Sequence, residues 1–111
     1  MSTATFDQVS ITSDDGSALI AYVHQGAGPV VMLLHDLNCS AAYWGSVTAA
    51  LLDRDPDLNL MALDLRGHGR STCVGETSRK RLVKDLKRWC KELNLVDPIL
   101  VGHGWGADIA L

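Results

Sequence analysis

Hydrophobic and polar residues alternate from Phe6 to Ile11, and a second run, Ala18 to Val23, follows Asp14-Asp15-Gly16. Two short runs on either side of an Asp-Gly turn predict an antiparallel β-hairpin. After Gly26-Ala27-Gly28-Pro29 the pattern changes. Val30 to Leu34 is continuously apolar, as is most of Leu58 to Leu63, the composition of inner strands covered on both faces. Between them, Tyr43, Trp44, Val47, Ala50 and Leu51 recur at spacings of three and four. With Ser40 placed to cap, this predicts one amphipathic helix from Ser40 to Arg54 that ends near Asp55-Pro56. From Thr77 to Leu95 a second helix is predicted, with Leu82, Leu86, Trp89 or Cys90, and Leu93 on one face. Pro98 to Val101 reads as a last short strand, and Ala107 to Leu111 begins like a helix. The order β-β-β-α-β-α-β-(α) predicts an α/β fold with a mostly parallel sheet behind an N-terminal antiparallel hairpin.

Composition narrows what such a fold can hold. The chain has 111 residues, 47% hydrophobic and 21% charged, enough for one domain with one modest core. Ten basic against thirteen acidic residues give a net charge of -3, with no basic excess for nucleic acid or an anionic membrane. A small-molecule ligand or substrate is the expected partner. The apolar runs fall short of the ~20 residues needed to span a bilayer, and the first residues lack a signal-peptide pattern, so a cytoplasmic location is expected. Cys39, Cys73 and Cys90 are widely spaced and predict reduced thiols. No metal-ligand spacing is present, and neither a metal nor a cofactor is expected.

Chemistry in open parallel sheets gathers beyond the carboxyl ends of the strands, where loops and helix N-termini offer unpaired N–H groups. Three segments lie there: His35-Asp36-Leu37-Asn38, Asp64 to Ser71, and Gly102-His103-Gly104-Trp105-Gly106-Ala107. The last can be read as G-x-G-x-x-A, a dinucleotide fingerprint, although such a motif usually follows the first strand of its fold. It can also be read as G-x-X-x-G between a strand and a helix, the spacing of a nucleophile elbow. In that reading position 104 displays the reactive side chain, and Gly104 has none.

These segments resemble the α/β-hydrolase superfamily. Leu33-Leu34-His35-Asp36 is similar to its H-G loop, with Trp44 placed like the tryptophan of the following helix. Asp64-Leu65-Arg66-Gly67-His68-Gly69-Arg70-Ser71 resembles its D-x-R-G-x-G-x-S segment. Gly102-His103-Gly104-Trp105-Gly106 resembles both the G-H-S-x-G turn of esterases and the G-H-D-W-G turn of epoxide hydrolases and haloalkane dehalogenases. The resemblance implies hydrolysis at a carbonyl, epoxide or carbon–halogen centre. The backbone N–H groups of Leu37 and Trp105 would form an oxyanion hole, and His35, Asp36 and His103 would border the substrate. It also implies that the catalytic acid and histidine come from later segments, so that residues 1–111 form the N-terminal portion of one domain, an incomplete α/β-hydrolase fold partnered by the C-terminal portion. The chain departs from the pattern at Gly104 and at Asp36, where the family usually has glycine. A carboxylate there opposes an oxyanion unless it points away or is neutralised. The expectation is a chain inactive as given, with a non-catalytic ligand-binding or interaction protein as the alternative and a dinucleotide-binding module ranked lower.

Blander roles are expected for several of these groups. Histidines at strand ends commonly satisfy backbone groups, Asp64 and Arg66 are expected to pair with each other and fix their loop, and seven basic residues between Arg79 and Lys91 are expected to coat a solvated helix face.

Overall fold

In the computed structural model, which describes residues 6–110, five strands form one sheet in the order β1-β2-β4-β3-β5. Strands β1 (Asp7–Thr12) and β2 (Ala18–His24) make the expected hairpin. Its second strand joins β4 (Asn59–Asp64) antiparallel, while β4, β3 (Val30–Leu34) and β5 (Ile99–Gly102) run parallel. The described residues include no helix long and apolar enough to cross a membrane.

The continuous apolar runs are explained by helices on both faces. Met32, Leu34, Met61 and Leu63 pack with Leu82, Leu86 and Trp89 of α2 (Arg79–Glu92) and Ile109 of α3 (Trp105–Ala110). Burying Leu82 and Leu86 contributes roughly 2 kcal/mol each. Leu33 and Ala62 face the other way, against Ala41 and Trp44. Ser78 caps α2 by accepting a hydrogen bond from the Arg81 N–H, one residue inside the predicted start at Thr77.

The first helix differs from its sequence pattern. Ser40 does cap, accepting from the Ala42 N–H, but residues Ala41–Trp44 form a 3₁₀ turn and α1 (Gly45–Arg54) begins only after it. Winding at about three residues per turn rotates the face that follows. Trp44, Thr48 and Leu52 are buried, whereas Tyr43, Val47 and Leu51 of the predicted apolar stripe are exposed. The basic face of α2 is also less open than expected. Arg81 turns inward to Asp14 and Asp15 of the hairpin turn and to Asp85, and Arg88 pairs with Glu92.

Candidate functional site

The loops after β3, β4 and β5 are tied together by buried polar groups. His35, fully buried, accepts a hydrogen bond at Nε2 from the Leu65 N–H (2.9 Å). With that nitrogen unprotonated, Nδ1 carries the hydrogen and donates to the Asp36 carbonyl (2.7 Å). Both ring nitrogens are therefore taken up by the backbone, which fixes the tautomer. In this arrangement His35 pins the β3 loop to the β4 loop. Burial lowers its proton affinity below the ordinary 6.5.

Asp64 and Arg66 do not pair with each other. Asp64 receives the N–H groups of Ala41 (2.7 Å) and Arg70 (3.0 Å), while Arg66 holds Asp85 through Nε (2.8 Å) and Nη2 (2.9 Å) and reaches Asp15 and Ser17 in the hairpin turn. Strand β4 ends at Asp64, so strand alternation no longer fixes where the side chain of residue 66 points. Both residues nevertheless hold their loop, as expected. His68 likewise contacts the backbone, through Nδ1 and the Arg66 carbonyl (2.9 Å).

The bend after β5 has the expected strand–turn–helix form. Gly102 ends the strand, Gly104 sits at its apex with φ of 60°, and Trp105 starts α3. Two neighbouring glycines permit close packing. A Cβ on Gly106 would lie 2.2 Å from the Leu34 carbonyl oxygen, and one on Gly102 would lie 2.4 Å from the Ala107 nitrogen. The strand feeding the bend is a sheet edge, with Ile99, Leu100 and Val101 exposed.

Asp36 decides the character of this site. Its Oδ1 accepts from the N–H of Leu37 (2.8 Å) and from the N–H of Trp105 (2.7 Å), the two groups expected to stabilise an oxyanion. These bonds, together with the nearby His103 and His35, hold the Asp36 carboxyl below the usual carboxylate range. The carboxylate also fills the space above the apex. A Cβ built on Gly104 would lie 2.2 Å from Asp36 Cγ and 2.3 Å from Oδ1. Thus the side chain missing from position 104 is replaced in space by one from position 36. His103 lies open beside it, its ring stacked on Tyr43 with centroids 4.9 Å apart. Tyr43 is a site residue that the sequence did not reveal, because its spacing assigned it to a core stripe.

A cavity of about 580 Å³ lies elsewhere, lined by Phe6, Tyr22, Trp44, Thr48, Ala62 and Asp64 among others, and contains none of residues 35–37 or 103–105. Within the described residues no cluster of His, Cys, Asp and Glu is arranged to hold a metal ion. All three thiols are free, as expected.

The buried groups predict acid sensitivity with a definite sign. Unfolded His35 takes up a proton as pH falls below 6.5 and the folded form resists it, so stability declines from there downward. Asp15 and Asp36 have folded-state values depressed below 3.8, so their contribution is present above that pH and is lost as pH falls through the lower values. Urea midpoints should therefore fall between about pH 7.5 and 5.5 and again below about 4. An unchanged midpoint over the first interval would contradict the role given to His35.

The model of the alpha/beta hydrolase family matches residues 18–110. Protein phosphatase methylesterase 1 of Bos taurus is 32% identical over 96% of this chain, which spans 30% of that protein's length. An epoxide hydrolase from Vigna radiata superposes with a TM-score of 0.81 at 26% identity, over 99% of this chain and 34% of that one. The bottromycin epimerase BotH, solved in complex with bottromycin A2, gives 0.81 at 30% identity, over 94% of this chain and 42% of that one.

Proposed function

The chain belongs to the alpha/beta hydrolase family, related to methylesterases and epoxide hydrolases, and from that premise we propose that these 111 residues do not hydrolyse esters. The observation that carries the reading is the capture of the Leu37 and Trp105 N–H groups by Asp36 Oδ1. Loss of one oxyanion donor raises an acyl-transfer barrier by about 3 kcal/mol, and here both donors already face an anion. Gly104 supplies no attacking group. With a simple aryl acetate, the folded chain should release product no faster than the urea-unfolded chain. Saturable turnover by the folded chain would overturn the proposal.

A second reading, binding of a small molecule without chemistry, is favoured by the 580 Å³ cavity, whose wall includes the apolar surfaces of Tyr22, Trp44 and Ala62. The family frame also admits roles other than hydrolysis, since BotH is described as an epimerase and as holding a ligand. The dinucleotide reading loses support, because the N-terminus of α3, where a pyrophosphate would sit, already receives the Asp36 carboxylate.

A further inference from the structure

We propose that the row Lys80, Lys84, Lys87 and Lys91 on α2 is a docking surface for a short acidic segment of a partner protein. It goes beyond the reading above and does not depend on it, because none of these residues belongs to the bend after β5.

The chain has four lysines, and all four stand in this row, at spacings of four, three and four residues. On a helix turning about 100° per residue, that spacing keeps them within an arc of about 60° and along about 16 Å of the axis. All four are exposed. Among the described residues none of them enters an ion pair. The row one residue further along the same helix has the same spacing and a different make-up. Arg81, Asp85, Arg88 and Glu92 alternate in sign, and Arg81 pairs with Asp85 and Arg88 with Glu92. Opposite charges three or four residues apart attract along a helix, and like charges repel. One row is therefore neutralised from within, while its neighbour holds four like charges with no counter-charge among the described residues.

The distribution of charge over the whole chain points the same way. Residues 79–92 carry seven basic and two acidic side chains, and the rest of the chain carries three basic and eleven acidic ones. A cleft of about 200 Å³ is lined by Lys84, Lys87 and Lys91, and the carboxylates beside them, Asp14 and Asp85, are already held by Arg81 and Arg66. An anion that is short suits this surface better than a long one, which would leave the row and meet an acidic excess. Five residues of extended peptide, at about 3.3 Å each, span the row, with same-side carboxylates about 6.6 Å apart. Successive lysines step about 4.5–6 Å along the axis, and their flexible stems absorb the difference. Neither row contains an aromatic side chain to stack on nucleobases or an apolar one to enter a bilayer.

The test is fluorescence anisotropy of a fluorescein-labelled hexaglutamate peptide titrated with the whole chain. Saturable binding is expected at about 20 mM salt, weakened at least about tenfold at about 200 mM. Acetylation removes the charge of lysine and reductive methylation keeps it, so the acetylated chain should lose at least about tenfold in affinity while the methylated chain stays within about twofold. Lys84→Gln with Lys91→Gln should reproduce the loss, and it should melt no lower than the unaltered chain because it relieves repulsion. Arg54→Gln with Arg70→Gln, which removes the same charge outside the row, should stay within about twofold. The proposal is overturned by absence of saturable binding at low salt, by indifference to acetylation, or by an equal loss in the Arg54 and Arg70 variant. Tighter binding of a thymidine oligonucleotide of the same charge, or of vesicles rich in phosphatidylserine, would overturn the assignment to a protein segment.

Discussion

Replacing Arg66 by alanine is expected to destabilise the chain by about 3–5 kcal/mol, the usual cost of leaving a buried charge without its partner. The Arg66 side chain is fully buried, and its two bonds to Asp85 form a planar fork that an ammonium group cannot reproduce. Its other bonds, to Asp15 and Ser17, join the hairpin turn to α2 and to the loop after β4. Removal would leave the Asp85 carboxylate, on α2 and 8% exposed, with only the longer contact to Arg81 at 3.8 Å. Since a domain of this size is stable by only about 5–15 kcal/mol, a large part of that margin should disappear. Urea unfolding followed by Trp fluorescence measures it, and a loss under about 1 kcal/mol would show that the network is dispensable. Arg66→Lys should recover only part of the loss.

Gly106→Ala is expected to cost about 3 kcal/mol or more, because the added methyl group meets backbone and no flexible side chain. It would lie 2.2 Å from the Leu34 carbonyl oxygen and 2.7 Å from that of His35, so α3 must lift from the sheet to admit it. The same methyl group at Gly45, the first residue of α1, meets nothing within 4 Å and should be neutral or stabilising by up to about 1 kcal/mol. Thermal unfolding of the two variants side by side separates close packing from the general effect of removing a glycine.

Much of the architecture was readable in advance, for physical reasons. The two short runs Phe6 to Ile11 and Ala18 to Val23 around an Asp-Gly turn report a hairpin, and the unbroken run Val30 to Leu34 reports a strand between two layers. The bend at 102–106 was legible because close backbone approach requires glycine, and both flanking glycines meet that need. The helix face of α1 was not legible, since periodicity alone does not announce that its first turn is wound as 3₁₀. Pairing within the Asp64 loop was misread for a related reason. Asp64 and Arg66 stand two positions apart, but their partners lie in the 3₁₀ turn, α2 and the hairpin turn, which only the folded chain brings near. Asp36 was recognised as foreign to the family pattern and as unfavourable to an oxyanion. What its neighbours in sequence could not convey is that it reaches 69 positions along the chain to the amide of Trp105.

That crossing interaction also constrains how the site can change over generations. Placing serine at 104 alone would set its Cβ inside the Asp36 carboxylate, and exchanging Asp36 for glycine alone would uncover two amides with no side chain above them. The two positions are thus coupled: a side chain at 104 and the present seat of the Asp36 carboxylate exclude each other, so a change at one alters what the other can do.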